Sequence, residues 1–466
     1  MGNLRGDVRT PKKSALRPTS RPADRPGDDG LWPRVTRELA DDLAFDASAR
    51  DRAGRPPFDE VARLQEAGLP ALLTPPGPGG RGTDWRTACE VVREISAADS
   101  SIGELLAHHH VLSWTARFLT GGRAPAAATG TPAVGGPPGP APGTPVPASE
   151  PYGAFEAATA RGGRLLAGAV EPSRTPGAPG LTLTPAPGGH VLHGRRSFAS
   201  GVSVADRLVV GARCTETGEL FVVLVDPADP AVRTEPASEP VGQRLAGAGT
   251  VTFDQVRVDT RNVLGSLPRD EHAVPPFTTL APLALRLLLV HVGLGVAEGA
   301  LAEARDVSRA TRAVPGHLAR SAGPRTGAPD PLDDAAGRED PFQLLAYGEL
   351  ATSAHAAAAV VERATEALAR GLTAGDALGV EERADIAVLV AAAEAVTSRA
   401  AVRITSRILE LVDATESAGV PGGGPGFDRF WRNARALTAR TSAAHRMRDI
   451  GDHYLHGTRP GLGALA

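Results

Sequence analysis

Thr250-Val251-Thr252-Phe253-Asp254-Gln255-Val256-Arg257-Val258 alternates apolar and polar residues at period two, the mark of a half-buried strand. It closes a series. Leu181-Thr182-Leu183-Thr184, Arg207 to Arg213 and Leu220 to Val225 alternate or run apolar between turn residues. The four runs together read as an antiparallel sheet, a small sandwich or barrel. Beyond Pro276 the period changes. Long Ala/Leu/Val/Glu/Arg segments near 279–312, 341–371, 377–413 and 428–456 read as four helices, and four helices of that length imply a bundle.

On the other side of the strands, Pro33 to about Leu119 reads helical. Phe58 to Gly68 is a short amphipathic helix closed by a glycine, Thr83 or Asp84 can cap a second, and a third runs from about Ser101. In the second, Trp85, Cys89, Val92 and Ile95 form one apolar stripe that faces a core. The segment 121–150 holds seven Gly and eight Pro in thirty residues, has almost nothing to bury, and reads as a mobile insertion. The domains expected are a disordered arm over 1–30, a helical domain over 31–165, a β-domain over 166–262 and a helical bundle over 263–466.

The chain has 466 residues, 42% of them hydrophobic, enough for more than one core. Its net charge of −3 provides no basic field for a phosphate backbone, which argues against nucleic acid. Cys89 and Cys214 stand alone, without the spacing of a disulfide scaffold or a zinc site. His445, His453 and His456 lack the carboxylate pattern of a bundle metal site, so no metal is expected. The first thirty residues lack the apolar run of a signal peptide, and the greasiest segment, Leu283 to Val292, is interrupted by Arg286 and His291. A cytoplasmic protein without a membrane span is the expectation.

Local motifs narrow the reading. Leu64-Gln65-Glu66-Ala67-Gly68-Leu69, Ala97-Ala98-Asp99-Ser100-Ser101-Ile102 and Gly194-Arg195-Arg196-Ser197-Phe198-Ala199-Ser200-Gly201 resemble the acyl-CoA dehydrogenase superfamily. Gly242-Gln243-Arg244 leading into Val251 to Val258, and Asp428-Arg429-Phe430-Trp431-Arg432-Asn433-Ala434-Arg435, are similar to its flavin-dependent monooxygenase branch, typified by dibenzothiophene monooxygenase. The resemblance implies an α+β fold with an N-terminal helical domain, a central antiparallel β-domain and a C-terminal four-helix bundle, assembled as a homotetramer. It also implies FMN or FAD between sheet and bundle, supplied reduced by a flavin reductase, with O2 and a small organic molecule as co-substrates.

By the same resemblance Phe198 and Ser200 sit beside the isoalloxazine, Val170 and Glu171 belong to the strand that hydrogen-bonds the ring, and Arg312 meets the flavin phosphate. Trp431 and Asn433 belong to the substrate pocket. Within His108-His109-His110, consecutive helical positions are about 100° apart, so the three cannot face one site. His109 falls where the branch carries a histidine facing the flavin, as a hydrogen-bond donor or acid.

The chain departs from the branch after Asn433: Leu437 and Arg440 stand where its two histidines do. The positions at which dehydrogenases carry a catalytic glutamate hold Thr441 and Leu285. Neither can abstract an α-proton from a thioester, which disfavours ordinary acyl-CoA dehydrogenation. The expected function is therefore a two-component flavin monooxygenase. A flavin dehydrogenase with an unrecognised base and a non-catalytic paralogue remain as alternatives.

Overall fold

The computed structural model describes residues 30–75, 80–120, 151–170, 180–270, 273–313, 341–416, 426–439 and 443–458. The arm, all but its last residue, and the 121–150 insertion lie outside these. The N-terminal part is α1 (Leu31–Ala53), α2 (Phe58–Glu66), α3 (Trp85–Ala98), α4 (Ser100–Ser113), α5 (Thr115–Thr120) and α6 (Pro151–Arg161). Asp84 caps α3 by accepting from the Thr87 N–H at 2.8 Å, which stabilises the helix by about 1 kcal/mol. Asp99, between α3 and α4, accepts from the Ser101 N–H and turns one helix into the next.

The sheet comprises β1 (Leu166–Ala169), β2 (Thr182–Ala186), β3 (Gly189–Phe198), β4 (Arg207–Cys214), β5 (Leu220–Val225), β6 (Val232–Pro236), β7 (Gly249–Asp259) and β8 (Val263–Leu267). Its order is β6-β7-β3-β2-β4-β5-β8, with β1 paired to β4 off this path. The antiparallel sheet read from the sequence is in fact mixed, because β1 and β2 both run parallel to β4. Alternation within a strand carries no information about its neighbour's direction. β8 pairs with β5, so the sheet continues past residue 262 to Leu267. Phe253, Val251, Leu192, Leu183 and Phe198 fill its interior.

The C-terminal part is α7 (Leu280–Ala313), α8 (Pro341–Ala374), α9 (Val380–Glu416), α10 (Asp428–Ala439) and α11 (Ala443–His456). The expected fourth helix is two. α7 packs directly on α3: a Cβ on Gly299 would sit 2.1 Å from the Ala97 carbonyl oxygen, so only glycine admits that approach. By length and hydropathy α7 and α8 are both apolar enough to cross a membrane, but 72% of the α7 window is buried in the protein, against 28% for α8. α7 is the bundle's core helix, which explains why its apolar run outlasts Arg286 and His291.

Candidate functional site

Where the sheet meets the start of α7 there is a cavity of about 250 Å³. α4 contributes His108, Val111, Leu112 and, just past its end, Thr115, a stripe at helical spacing; β1 and the residue after it contribute Gly168, Ala169 and Val170. Arg196, Ser197 and Ala199 come from the end of β3, and Thr278, Pro282 and Leu285 from the entry to α7. The walls are mostly aliphatic. No Asp or Glu is among the described residues that line it.

His109 is not in this cavity. Its Nε2 donates to the Pro70 carbonyl at 2.8 Å, and its Nδ1 accepts from the Leu166 N–H at 3.0 Å. Both ring nitrogens are thus used on backbone, which fixes the neutral tautomer. Burial holds its pKa down to about 4, against the opposing pull of the Pro70 carbonyl. The expected flavin-facing acid is instead a staple between α4, the turn at Leu69–Ala71 and β1. His110 is buried too, its ring nitrogens lack a hydrogen-bond partner among the described residues, and burial with the adjacent His109 keeps it neutral. His108, one position earlier, is the histidine on the cavity stripe, and its Nδ1 lies 3.0 Å from the Glu104 carbonyl oxygen.

Of the expected flavin contacts, Val170 lines the cavity. Phe198 does not: it packs inside the sheet, and Ser200 just beyond is 3% exposed and also absent from the lining. The end of β3 presents Arg196, Ser197 and Ala199 to the cavity and turns Phe198 into the sheet. Glu171 lies outside the described residues. Arg312 stands in the last turn of α7, about 40 Å along the axis from Leu285 by helical rise, and its side chain lies outside the described residues.

Asn433 and Trp431 do not line the cavity either. Asn433 is buried in a closed node: its Nδ2 donates to Ser100 Oγ at 2.9 Å, its Oδ1 accepts from the Gln243 N–H at 2.7 Å, and Ser100 Oγ donates to Gln243 Oε1 at 2.8 Å. Gln243 has φ +54°, a strained left-handed conformation for a residue with a side chain, and the node holds it there. Ion pairs Arg432–Asp51 and Arg429–Glu303 fasten α10 to α1 and α7. Next to them, a Cβ on Gly242 would lie 2.3 Å from the Arg432 carbonyl oxygen. Trp431 is on the outer side of α10, 36% exposed. Leu437 lines a separate pocket of about 60 Å³ between α7, α9 and α10, beside Arg286 and Glu394. Arg440 and Thr441 lie outside the described residues.

Sequence reasoning missed His108 and Thr278. The stripe 108, 111, 112, 115 was legible at helical spacing; Thr278, in a short link before α7, carried no pattern.

Residues 31–122 match the family model "Acyl-CoA dehydrogenase, N-terminal domain". The chain is 30% identical to dibenzothiophene monooxygenase of Rhodococcus erythropolis, over 94% of this chain and 96% of that one. It is 27% identical to a probable FMNH2-dependent monooxygenase, SfnC, of Pseudomonas putida, over 91% and 95%. The crystal structure of TdsC from Paenibacillus sp. A11-2 with FMN and indole superposes with a TM-score of 0.76 at 26% identity, covering 94% of this chain and all of that one. With the fold, the family model and a near full-length relative in agreement, the chain belongs to the flavin-dependent monooxygenases typified by dibenzothiophene monooxygenase, built on the acyl-CoA dehydrogenase fold.

Proposed function

We propose that this flavin-dependent monooxygenase takes reduced FMN from a separate flavin reductase and uses it with O2 on a small organic substrate in the cavity between sheet and bundle. The observation that carries this is the make-up of the cavity: aliphatic walls, one imidazole, one guanidinium and no carboxylate among its described residues. A dehydrogenase needs a carboxylate or comparable base at the carbon acid, whereas oxygen transfer from a reduced flavin chiefly needs a dry, shaped enclosure.

The residues present suit an isoalloxazine ring. Ala169, Val170, Ser197 and Ala199 would hold the ring by contact and hydrogen bonds, and Arg196 would add positive charge favourable to a reduced, anionic flavin. When bound, the flavin supplies the electrons and the activated oxygen. The protein's part is to exclude water, orient the substrate and present hydrogen bonds.

FMN over FAD is supported by two relatives, one named as a probable FMNH2-dependent monooxygenase and one crystallised with FMN. We further propose a homotetramer: α8 leaves Phe342 81% and Leu345 62% exposed on an apolar helix, a face that another copy would cover. Arg312, at the far end of α7, then meets the flavin phosphate of another copy. Supply of reduced flavin by a reductase fits a cytoplasmic setting.

The test is anaerobic titration with reduced and oxidised FMN, then rapid mixing with 18O2 in the presence of candidate substrates. Tighter binding of reduced FMN and one labelled oxygen atom in the product are expected. Tightly held oxidised flavin that reacts sluggishly with oxygen would point to a dehydrogenase instead.

A further inference from the structure

Two threonines stand side by side where the chain turns into α7, and they use their hydroxyls differently. Thr279 Oγ1 donates to the Pro276 carbonyl at 2.7 Å and accepts from Arg383 Nε at 2.8 Å, so it is spent on closing the turn. Thr278 ties down its backbone, its carbonyl accepting from the Ala281 N–H at 3.3 Å. Its hydroxyl has no hydrogen-bond partner among the described residues, although the residue is only 4% exposed and lines the cavity. A buried hydroxyl left so is unfavourable, and a bound molecule that bonds it removes that penalty.

A hydroxyl can donate or accept, and its surroundings decide which. α7 begins two residues on, at Leu280, and Ala281, Pro282 and Leu285 of its first turns line the cavity as well. The 34-residue helix thus turns the positive end of its dipole to this wall. No Asp or Glu is among the described lining residues to offset it. Both features favour an electron-rich atom opposite Thr278, with the hydroxyl as donor.

The flavin contacts given above, Ala169, Val170, Ser197 and Ala199, come from the sheet side, which leaves the α4 and α7 side of the cavity to the substrate. Resting on that monooxygenase reading, we propose that Thr278 is a specificity-determining residue whose hydroxyl donates to an acceptor atom of the substrate. It selects compact apolar molecules that carry one acceptor, a ring nitrogen or a carbonyl-type oxygen, over isosteres with a C–H in its place. Val111, Leu112 and Leu285 take the apolar body.

Benzothiazole and benzothiophene differ by a ring nitrogen in place of one C–H. The full chain is titrated calorimetrically with each, with and without saturating oxidised FMN. Thr278→Val, close to threonine in shape, should weaken benzothiazole by about tenfold, one hydrogen bond to a buried group, and leave benzothiophene within about twofold. Thr278→Ser keeps the hydroxyl and should keep the ratio of the two affinities close to that of the unaltered chain. An unchanged ratio in Thr278→Val, an equal loss of both probes, a Thr278→Ser ratio that matches Thr278→Val, or binding of neither probe to the unaltered chain would overturn the proposal. FMN affinity is expected to be the same in Thr278→Val; a loss there with the probe ratio intact would give the hydroxyl to the flavin and overturn the substrate assignment. Failure of the unaltered chain to bind FMN would count against the flavin reading alone, because the probe ratio is also read without flavin.

Discussion

The node at Asn433 and the mostly aliphatic cavity lined by Thr278 differ in how their buried polar side chains are partnered. Around Asn433, Ser100 and Gln243, donors meet acceptors in a closed ring, backed by the Arg432–Asp51 and Arg429–Glu303 pairs. At the cavity, the Thr278 hydroxyl has no hydrogen-bond partner among the described residues. Satisfied groups hold a fold together; groups kept short of partners are where a ligand gains binding energy. The family motif Asp428 to Arg435 is thus tied into a satisfied network, while the cavity holds a hydroxyl that is not.

The largest effect that could break this contrast is at the node. Asn433→Leu leaves the Gln243 N–H and the Ser100 hydroxyl unmatched and should lower stability by about 3 kcal/mol or more, read from the denaturant midpoint. A loss below about 1 kcal/mol would show that the ring is not cooperative.

Next comes the pH dependence set by the staple. His109 titrates at about 4 when folded against an unfolded value near 6.5, so between these the unfolded chain binds the extra proton. Stability is full above pH 6.5 and falls as pH drops towards 4. The histidine should account for about 2 kcal/mol of loss by pH 5. His291, held down to about 3 by burial and by Arg93, adds in the same direction. Denaturation curves at pH 7 and pH 5 should show the loss, and His109→Gln should reduce its slope; an unchanged slope would remove His109 from the satisfied class.

Thr278→Val tests the opposite class. Removing a hydroxyl that bonds nothing should leave stability unchanged or raise it by up to about 1 kcal/mol, in contrast to Asn433. A destabilisation comparable to that of Asn433→Leu would show that the hydroxyl is structural. The smallest effect is expected for Trp431→Ala on the outer side of α10, within about 0.5 kcal/mol and without change in FMN affinity. A weakened FMN titration would return Trp431 to the site.

The fold was legible because periodicity is a local property. Period two in Arg207 to Arg213 and in Thr250 to Val258, and helical spacing from Pro276 onward, fixed the element types and most of their order. Strand direction was not legible, since the parallel pairing of β1 with β4 depends on where the intervening chain runs and not on alternation within either strand. The site was harder still. His108 and His109 are chemically identical neighbours, and which one meets the cavity depends on the rotation of α4 against β1, set by Leu166 and Pro70. Family position favoured His109, while the backbone groups around it consumed both of its nitrogens. Phe198 illustrates the same limit: its strand is evident, but which face of β3 looks onto α7 is a tertiary matter.

α7 runs unbroken from Leu280 to Ala313 and so sets the backbone of Leu285 and Arg312 about 40 Å apart along one axis. If Arg312 grips the cofactor of a neighbouring copy, damage at either end is curable in trans. A chain inactivated in its cavity and a chain inactivated at Arg312, refolded together, would regain a fraction of the activity that neither has alone. The inheritance of this enzyme's defects would then follow the pairing of subunits, not the fate of a single polypeptide.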